Sequence, residues 1–210
     1  MTGPLVVVLA TGNAGKAREL AGLLGGSFDV RTMPGWVALP AETGLTFAAN
    51  ARLKADAVFA ALGRCVAVLA DDSGLEVAAL DGRPGVLSAR YAGEGASDAE
   101  NVTKLLLELA GRQDRESRFV CALCLVLPDD HAAANGSRVV EVEGSLDGVI
   151  TRTPLGTGGF GYDPVFQPDG WEITLAQGSP ANKDSVSHRG SAARALVARL
   201  IGQGLMSDGS

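Results

Sequence analysis

The sequence predicts an α/β protein of three layers, a mixed central β-sheet with flanking helices on both faces. Three observations carry this. Short apolar runs of β type alternate with segments of helical periodicity, a glycine loop joins the first run to the first helix, and two β-rich runs are separated by the hairpin-type signal Asn135-Gly136. With 210 residues the chain can enclose one sizeable core, so we expect a single domain over residues 1–201 and a frayed tail over 202–210.

The elements follow in order. Leu5–Ala10 is a buried strand, and Thr11-Gly12-Asn13-Ala14-Gly15-Lys16 turns the chain into a helix on which Ala17, Leu20, Ala21 and Leu24 share one face. Residues 28–33 form a short strand, and Pro34, Gly35, Pro40 and Gly44 mark a long loop carrying Glu42. Thr46 caps a helix whose Phe47, Ala51, Lys54, Ala55, Val58, Phe59 and Leu62 repeat at helical spacing. Residues 65–70 read as a strand ending abruptly at Asp71-Asp72-Ser73-Gly74, and residues 75–80 as another before a turn at 82–85. Ser97 and Glu100 make a capping box for a helix buried through Val102, Leu105, Leu106 and Leu109. Residues 118–127 and 138–146 are β-rich and expected to pair antiparallel; a glycine-rich loop covers 156–161, and the last helix presents Ala193, Leu196, Val197 and Leu200.

Composition narrows the function classes. Hydrophobic residues make up 46% and charged residues 20%, with no apolar run near the ~18 residues of a membrane span, which excludes disordered, collagen-like and coiled-coil chains. The balance of 18 basic against 24 acidic residues argues against a surface that coats polyphosphate, so neither nucleic acid nor membrane is an expected partner. Three cysteines are too few for a disulfide framework and point to a reducing compartment, the cytoplasm. No basic region precedes Leu5–Ala10 and no cleavage site follows, so this run reads as a strand rather than a signal peptide or anchor.

Four segments could carry chemistry. The loop from Thr11 to Lys16 sets small residues and a lysine at a helix N-terminus, where unpaired N–H groups and the helix dipole favour an anion such as phosphate. It is not a Walker A loop, because only Asn13 and Ala14 separate its glycines and Ala17 stands where a Ser or Thr is required; a plain β–α turn fits it equally well. Asp71 and Asp72 close a strand at a position from which side chains of open sheets face ligands, where one carboxylate could bind Mg²⁺ and orient water; the alternative is an aspartate that caps a turn. Phe160-Gly161-Tyr162-Asp163 follows a glycine-dense loop that would let a ring meet a planar base and a carboxylate accept from its edge, or it is simply a core phenylalanine after a turn. Lys183, His188 and Arg189 offer cationic donors to an anion or a keto oxygen before the last helix.

Two patterns are set aside. Cys121 and Cys124 have the spacing of half a zinc or redox motif, but positions i and i+3 of a strand face opposite ways and no second pair exists at ligand spacing. Asp129-Asp130-His131 sits in the expected hairpin loop and reads as solvated.

The stretches LATGNAGKAREL, ETGLTFAANARLKA, ADDSGLEV, PGVLSARYAG, GTGGFGYDPVF and SHRG, in this order from about Leu5 to Leu200, resemble the Ham1/RdgB family, the inosine triphosphate pyrophosphatases. The resemblance implies an elongated ITPase-like fold with two lobes around a cleft, dependence on Mg²⁺ and a homodimer. Carried over residue by residue, it implies that Thr11, Gly12, Asn13, Ala14, Gly15 and Lys16 hold a triphosphate, that Glu42 and Asp72 serve the metal, and that Asp72 accepts a proton. Ser73 would touch the substrate, Phe160, Gly161, Tyr162 and Asp163 would line a nucleoside pocket, and Lys183, His188 and Arg189 would complete it around the base. The chain departs from the pattern at Ala41, where many members carry a second glutamate, so Glu42 would act alone; Ser191 also replaces a common basic residue. Asn50 and Lys54 lie one helical turn apart, near Glu42 or in a purely structural role.

The implied reaction is attack of water on the α-phosphorus of XTP, ITP or dITP, giving the monophosphate and pyrophosphate and clearing deaminated purines from the nucleotide pool. Two alternatives stand beside it: a non-catalytic purine-nucleotide sensor built on the same loops, and a pyrophosphatase for pyrimidine triphosphates.

Overall fold

A computed structural model of the chain describes residues 4–129, 136–179, 182–183 and 186–206. Asp130 and His131 of the expected loop, Asn135 of the hairpin signal and tail positions 207–210 lie outside the described residues.

Six strands, β1 (Leu5–Ala10), β2 (Phe28–Thr32), β3 (Ala67–Val77), β4 (Glu116–Pro128), β5 (Ser137–Ile150) and β6 (Phe166–Pro168), form one sheet in the order β2-β1-β3-β4-β5-β6. β1 runs parallel to both β2 and β3 while β5 and β6 are antiparallel, so the sheet is mixed, as expected. The helices are α1 (Ala14–Leu24), α2 (Phe47–Ala61), α3 (Asp98–Glu108) and α4 (His188–Gly202).

One expectation is corrected here. The two strands foreseen at 65–70 and 75–80 are a single strand, β3, which passes through Asp71-Asp72-Ser73-Gly74 without turning, while residues Ala78–Leu80 form a 3₁₀ turn. Extended backbone can carry two adjacent acids because each finds a cation on its own face of the sheet. Beyond them the Leu75 N–H donates to Ser88 Oγ at 2.9 Å, which satisfies the strand where Gly74 offers no side chain.

The chain divides into two compact units, one comprising Met1–Asp72, Cys121–Gly144 and Arg189–Ser210, the other Ser73–Val120 and Ser145–His188. In the first, Val7, Leu9, Ala67, Leu69, Cys121, Leu123 and Leu125 occupy alternate strand positions and bury one sheet face against Leu20 and Leu24 of α1 and Ala192, Leu196 and Leu200 of α4. Each fully buried leucine contributes roughly 1.5–3 kcal/mol. α2 covers the opposite face, burying Ala51, Ala55, Val58 and Phe59, so this unit has the expected three layers. Thr46 caps α2 as its sequence foretells, its Oγ1 accepting the Ala49 N–H at 3.1 Å.

In the second unit Val102 and Leu105 of α3, with Leu109 at its C-cap, pack in one core with Leu75, Phe119, Ile150 and Phe166. Its start is the foreseen capping box: Ser97 Oγ accepts the Glu100 N–H, and Glu100 Oε2 accepts the Ser97 N–H at 2.7 Å. The 3₁₀ segment Gly85–Arg90 and the short β6 have no counterpart in the sequence reading. Cys121 and Cys124 are buried, and burial pushes both thiols up to about 12, consistent with inert packing residues. Among the described residues no helix is long and apolar enough to cross a membrane.

Candidate active site

In the first unit the chain leaves β1 at Ala10 and enters α1 at Ala14, with Asn13 as the cap. Asn13 Oδ1 accepts the N–H groups of Gly15 (2.9 Å) and Lys16 (3.1 Å), and Thr11 Oγ1 accepts that of Asn13 (3.2 Å). The expectation of unpaired N–H groups is thus corrected at these three positions: the loop's own side chains satisfy them, and an anion would exchange with Asn13. What the turn offers an anion is the helix dipole, the Thr11 hydroxyl and the Lys16 ammonium.

Lys16 Nζ lies 3.1 Å from Asp71 Oδ2, a carboxylate with no solvent exposure. Burial favours the neutral acid there, but the charges of Lys16, Arg189 and Lys54 outweigh it and hold the Asp71 carboxyl below its ordinary 3.8. Asp72, the next residue, points to the other face and meets α2. Asn50 Nδ2 donates to Asp72 Oδ2 at 3.0 Å, and Lys54 Nζ stands 3.8 Å from Asp72 Oδ1 and 2.6 Å from Glu42 Oε1. Burial raises the Asp72 carboxyl above the ordinary value, Lys54 opposes, and the Glu42 charge adds to the rise. Lys54 is penalised by burial yet lifted by Asp72, Asp71 and Glu42, with a net rise, so it stays an ammonium.

Asn50 has a second task, since its Oδ1 accepts the Gly44 N–H at 2.7 Å. One buried amide therefore ties the loop that carries Glu42 to the strand that carries Asp72. Two carboxylates meeting over a single ammonium leave local negative charge and hard oxygen donors. Mg²⁺ commonly takes one or two carboxylates and completes its shell with phosphate and water, so Glu42 and Asp72 fit it.

In the second unit Phe160 is half-buried, and Lys183 Nζ sits 4.8 Å above its ring centroid and 2.7 Å from Asp163 Oδ2. Asp163 Oδ2 also accepts the Phe160 N–H at 3.0 Å. Gly159 has φ +75°, and a Cβ there would collide with the Asp163 carboxylate, so glycine is required. Tyr162 is buried and its hydroxyl donates to the Ser88 carbonyl at 2.9 Å, which places its ring in the core of this unit. His188 is buried with its ring stacked on Phe119 at 4.8 Å. Ser73, half-buried, begins the unit on β3.

The structure thus brings together Lys16 with Asp71, Glu42 and Asp72 with Asn50 and Lys54, and Phe160 with Asp163 and Lys183. Arg189 turns to Glu19 of α1, Nη1 to Oε2 at 2.9 Å. The sequence reading missed the distinct duties of Asp71 and Asp72 and the parts of Glu19 and Asp98. The first was detectable from the pleat alone, since neighbours on a strand face opposite ways; the others depend on contacts far apart in the chain.

A helix N-terminus beside paired carboxylates and lysines, on an inner strand of a mixed α/β sheet, is an arrangement that can hold phosphates and, through two carboxylates, a divalent cation. The chain belongs to the Ham1 family, whose family model matches residues 7–199. It is 48% identical over 195 residues to a dITP/XTP pyrophosphatase of Parasynechococcus marenigrum (strain WH8102), covering 92% of this chain and 94% of that protein. Among solved structures it is similar to the Staphylococcus aureus Ham1 protein, with a TM-score of 0.81, 38% identity and coverage of 94% of this chain and 99% of the other. A nucleoside-triphosphatase / dITP/XTP pyrophosphatase from Mycobacterium abscessus superposes with a TM-score of 0.72 and 40% identity over 93% of this chain and 99% of its own.

Proposed function

We propose that this chain hydrolyses non-standard purine nucleoside triphosphates, XTP, ITP and dITP, to the monophosphate and pyrophosphate, and so clears deaminated purines from the nucleotide pool. The observation that carries the reading is Asp72, a buried carboxylate oriented by Asn50 and set 3.8 Å from the Lys54 ammonium that also meets Glu42. A proton acceptor works best when its geometry is fixed by its neighbours. The family names of its relatives supply the substrate class.

Glu42 and Asp72 would hold Mg²⁺, which when bound offsets the charge of the phosphate oxygens. Asp72 orients the attacking water and takes its proton. Lys16 and the α1 N-terminus, with Thr11 to Gly15, bind and align the phosphates, the alignment on which phosphoryl transfer chiefly depends. Phe160 stacks on the base, with Gly161, Tyr162 and Asp163 shaping its surroundings. Lys183, His188 and Arg189 supply donors to which a 6-keto oxygen can accept, and Ser73 touches the substrate. A 6-amino group would leave such donors unsatisfied, at roughly 1–3 kcal/mol each, which disfavours ATP. Paired carboxylates favour catalysis over mere nucleotide sensing, because triphosphate binding alone calls for cations and N–H groups. The reading also carries a homodimer acting in the cytoplasm, without nucleic-acid or membrane partners.

The test is to measure pyrophosphate and orthophosphate release with Mg²⁺ from dITP and XTP against dATP, dGTP and dTTP at equal concentration. Pyrophosphate from dITP and XTP alone supports the reading. Tight binding without hydrolysis points to a sensor, and turnover of dTTP to a pyrimidine enzyme.

A further inference from the structure

We propose that Asp98, in the first turn of α3, is a positioning residue that sets the pose of the 156–161 loop and, through Phe160, the recognition of the base. The inference rests on the reading that Phe160 meets the base. Its ground is one hydrogen bond: the Gly161 N–H donates to Asp98 Oδ2 at 2.6 Å, across 63 positions of sequence.

Asp98 is not needed to start its helix. Ser97 and Glu100 already form the reciprocal cap, so the Asp98 carboxylate is directed outward to the loop. The loop is tied at its middle, where the Gly158 N–H donates to the Ala176 carbonyl at 3.0 Å, and its far end at 160–161 needs a further hold. Gly156, Gly158, Gly159 and Gly161 give it wide backbone freedom, and three of these, at 156, 159 and 161, have φ of +84°, +75° and +62°. Packing does not fix it on the α3 side, where an open cavity of about 620 Å³ is lined by Val102, Leu106, Pro154, Gly158 and Pro164 together with Asp98 and Gly161 themselves. Two consecutive amides are instead gripped by carboxylates from different parts of the chain, Phe160 N–H by Asp163 and Gly161 N–H by Asp98. Lys183 is anchored by the same Asp163 against one face of the Phe160 ring. A ring so held is ready for a planar partner, and the ordering of the loop falls on folding rather than on binding.

The experiment compares Asp98→Ala, Asp98→Asn, Phe160→Ala and the Asp98→Ala/Phe160→Ala pair, by steady-state kinetics with dITP and by thermal unfolding. Asp98→Ala raises KM for dITP about tenfold with kcat within about twofold of the parent, the effect of returning loop ordering to the binding step. Asp98→Asn keeps an acceptor oxygen and recovers most of KM. The pair is no worse than Phe160→Ala alone, because the two residues act through one pose. If Phe160→Ala raises KM and Asp98→Ala does not, the proposal fails while the base reading stands. If Phe160→Ala leaves KM unchanged, the base reading fails and the proposal with it. A loss of kcat and thermal stability at unchanged KM shows a purely structural role and overturns the proposal.

Discussion

Asp71 and Asp72 are neighbours on β3 whose side chains leave opposite faces of the sheet, so Asp71 meets Lys16 at 3.1 Å and Asp72 meets Lys54 at 3.8 Å. The two acids differ in environment and therefore in duty: cations hold Asp71 ionised, whereas burial lifts Asp72. Asp72→Asn keeps the shape and removes the proton acceptor. Turnover of dITP falls about 100- to 10,000-fold with nucleotide binding retained, as read by kinetics and calorimetric titration. Asp71→Asn instead strands the Lys16 ammonium and lowers stability, towards the low end of ~3–5 kcal/mol because Lys16 is partly exposed. If Asp72→Asn retains near-full activity, Asp72 has no part in the mechanism.

Gly44 tests the tie between the Glu42 loop and α2. A Cβ at this position would stand 2.7 Å from Asn50 Oδ1 and 2.8 Å from Ala49 Cβ, closer than real contacts allow. Gly44→Ala therefore displaces the loop and breaks the Gly44 N–H bond to Asn50. Activity falls and more Mg²⁺ is required for half-maximal rate, while thermal stability drops by only about 1–3 kcal/mol. An unchanged Mg²⁺ requirement would show that the loop's position is irrelevant to the metal.

The pH dependence of stability has a contribution from Tyr91 and Glu108, whose hydroxyl and Oε2 are 2.7 Å apart. Burial first, then Glu108, pushes the Tyr91 hydroxyl up to about 12 from its ordinary 10.0, so its stabilisation is complete below 10.0 and is lost as pH rises through about 12. Glu108 is held below its ordinary 4.5 by Tyr91 first and also by Arg83, so its stabilisation is complete above 4.5 and is lost as pH falls through the lower folded value. The Tyr91–Glu108 bond thus contributes a plateau between these limits, about 0.5–1 kcal/mol given the exposure of Glu108. Denaturant titrations of the parent and Glu108→Gln should differ by a constant across that window and converge at acid pH. A difference that grows on acidification would contradict the sign.

Much of this was legible in local pattern. The caps at Thr46 and Ser97 and the periods of α1 and α2 are encoded within a few residues of where they act, and their elements form as read. The i, i+4 spacing of Asn50 and Lys54 put them near Glu42 or in a structural role; Lys54 does meet Glu42, while the contacts of both with Asp72 were not in the pattern. The acidic tetrapeptide at 71–74 misled because its local preference is for a turn, and only lysines 55 and 18 positions away, at 16 and 54, make an extended backbone tenable. Asn13 carries a part that the pattern did not announce, since its side chain caps the helix it precedes.

Arg189 poses the hardest separation, because the base recognition proposed for it and its buried ion pair with Glu19 involve the same guanidinium. Its Nη1 lies 2.9 Å from Glu19 Oε2 and both side chains are buried, 5% and 9% exposed. Arg189→Ala leaves the Glu19 carboxylate buried without its guanidinium, at a cost of ~3–5 kcal/mol, so a lost substrate preference in that variant would be ambiguous. Replacing both charges at once, Glu19→Gln with Arg189→Met, keeps volume and removes the stranded ion, and should recover more than half of the lost stability. The kcat/KM ratio for dITP over dATP, measured in this stabilised pair, then reports on base choice free of the stranded Glu19 charge, since the Asp71 environment acts on both nucleotides alike. We expect it to fall about tenfold, the effect of one missing donor to the keto oxygen. A ratio equal to the parent's would confine Arg189 to joining α4 with α1 and leave base choice to Lys183 and His188.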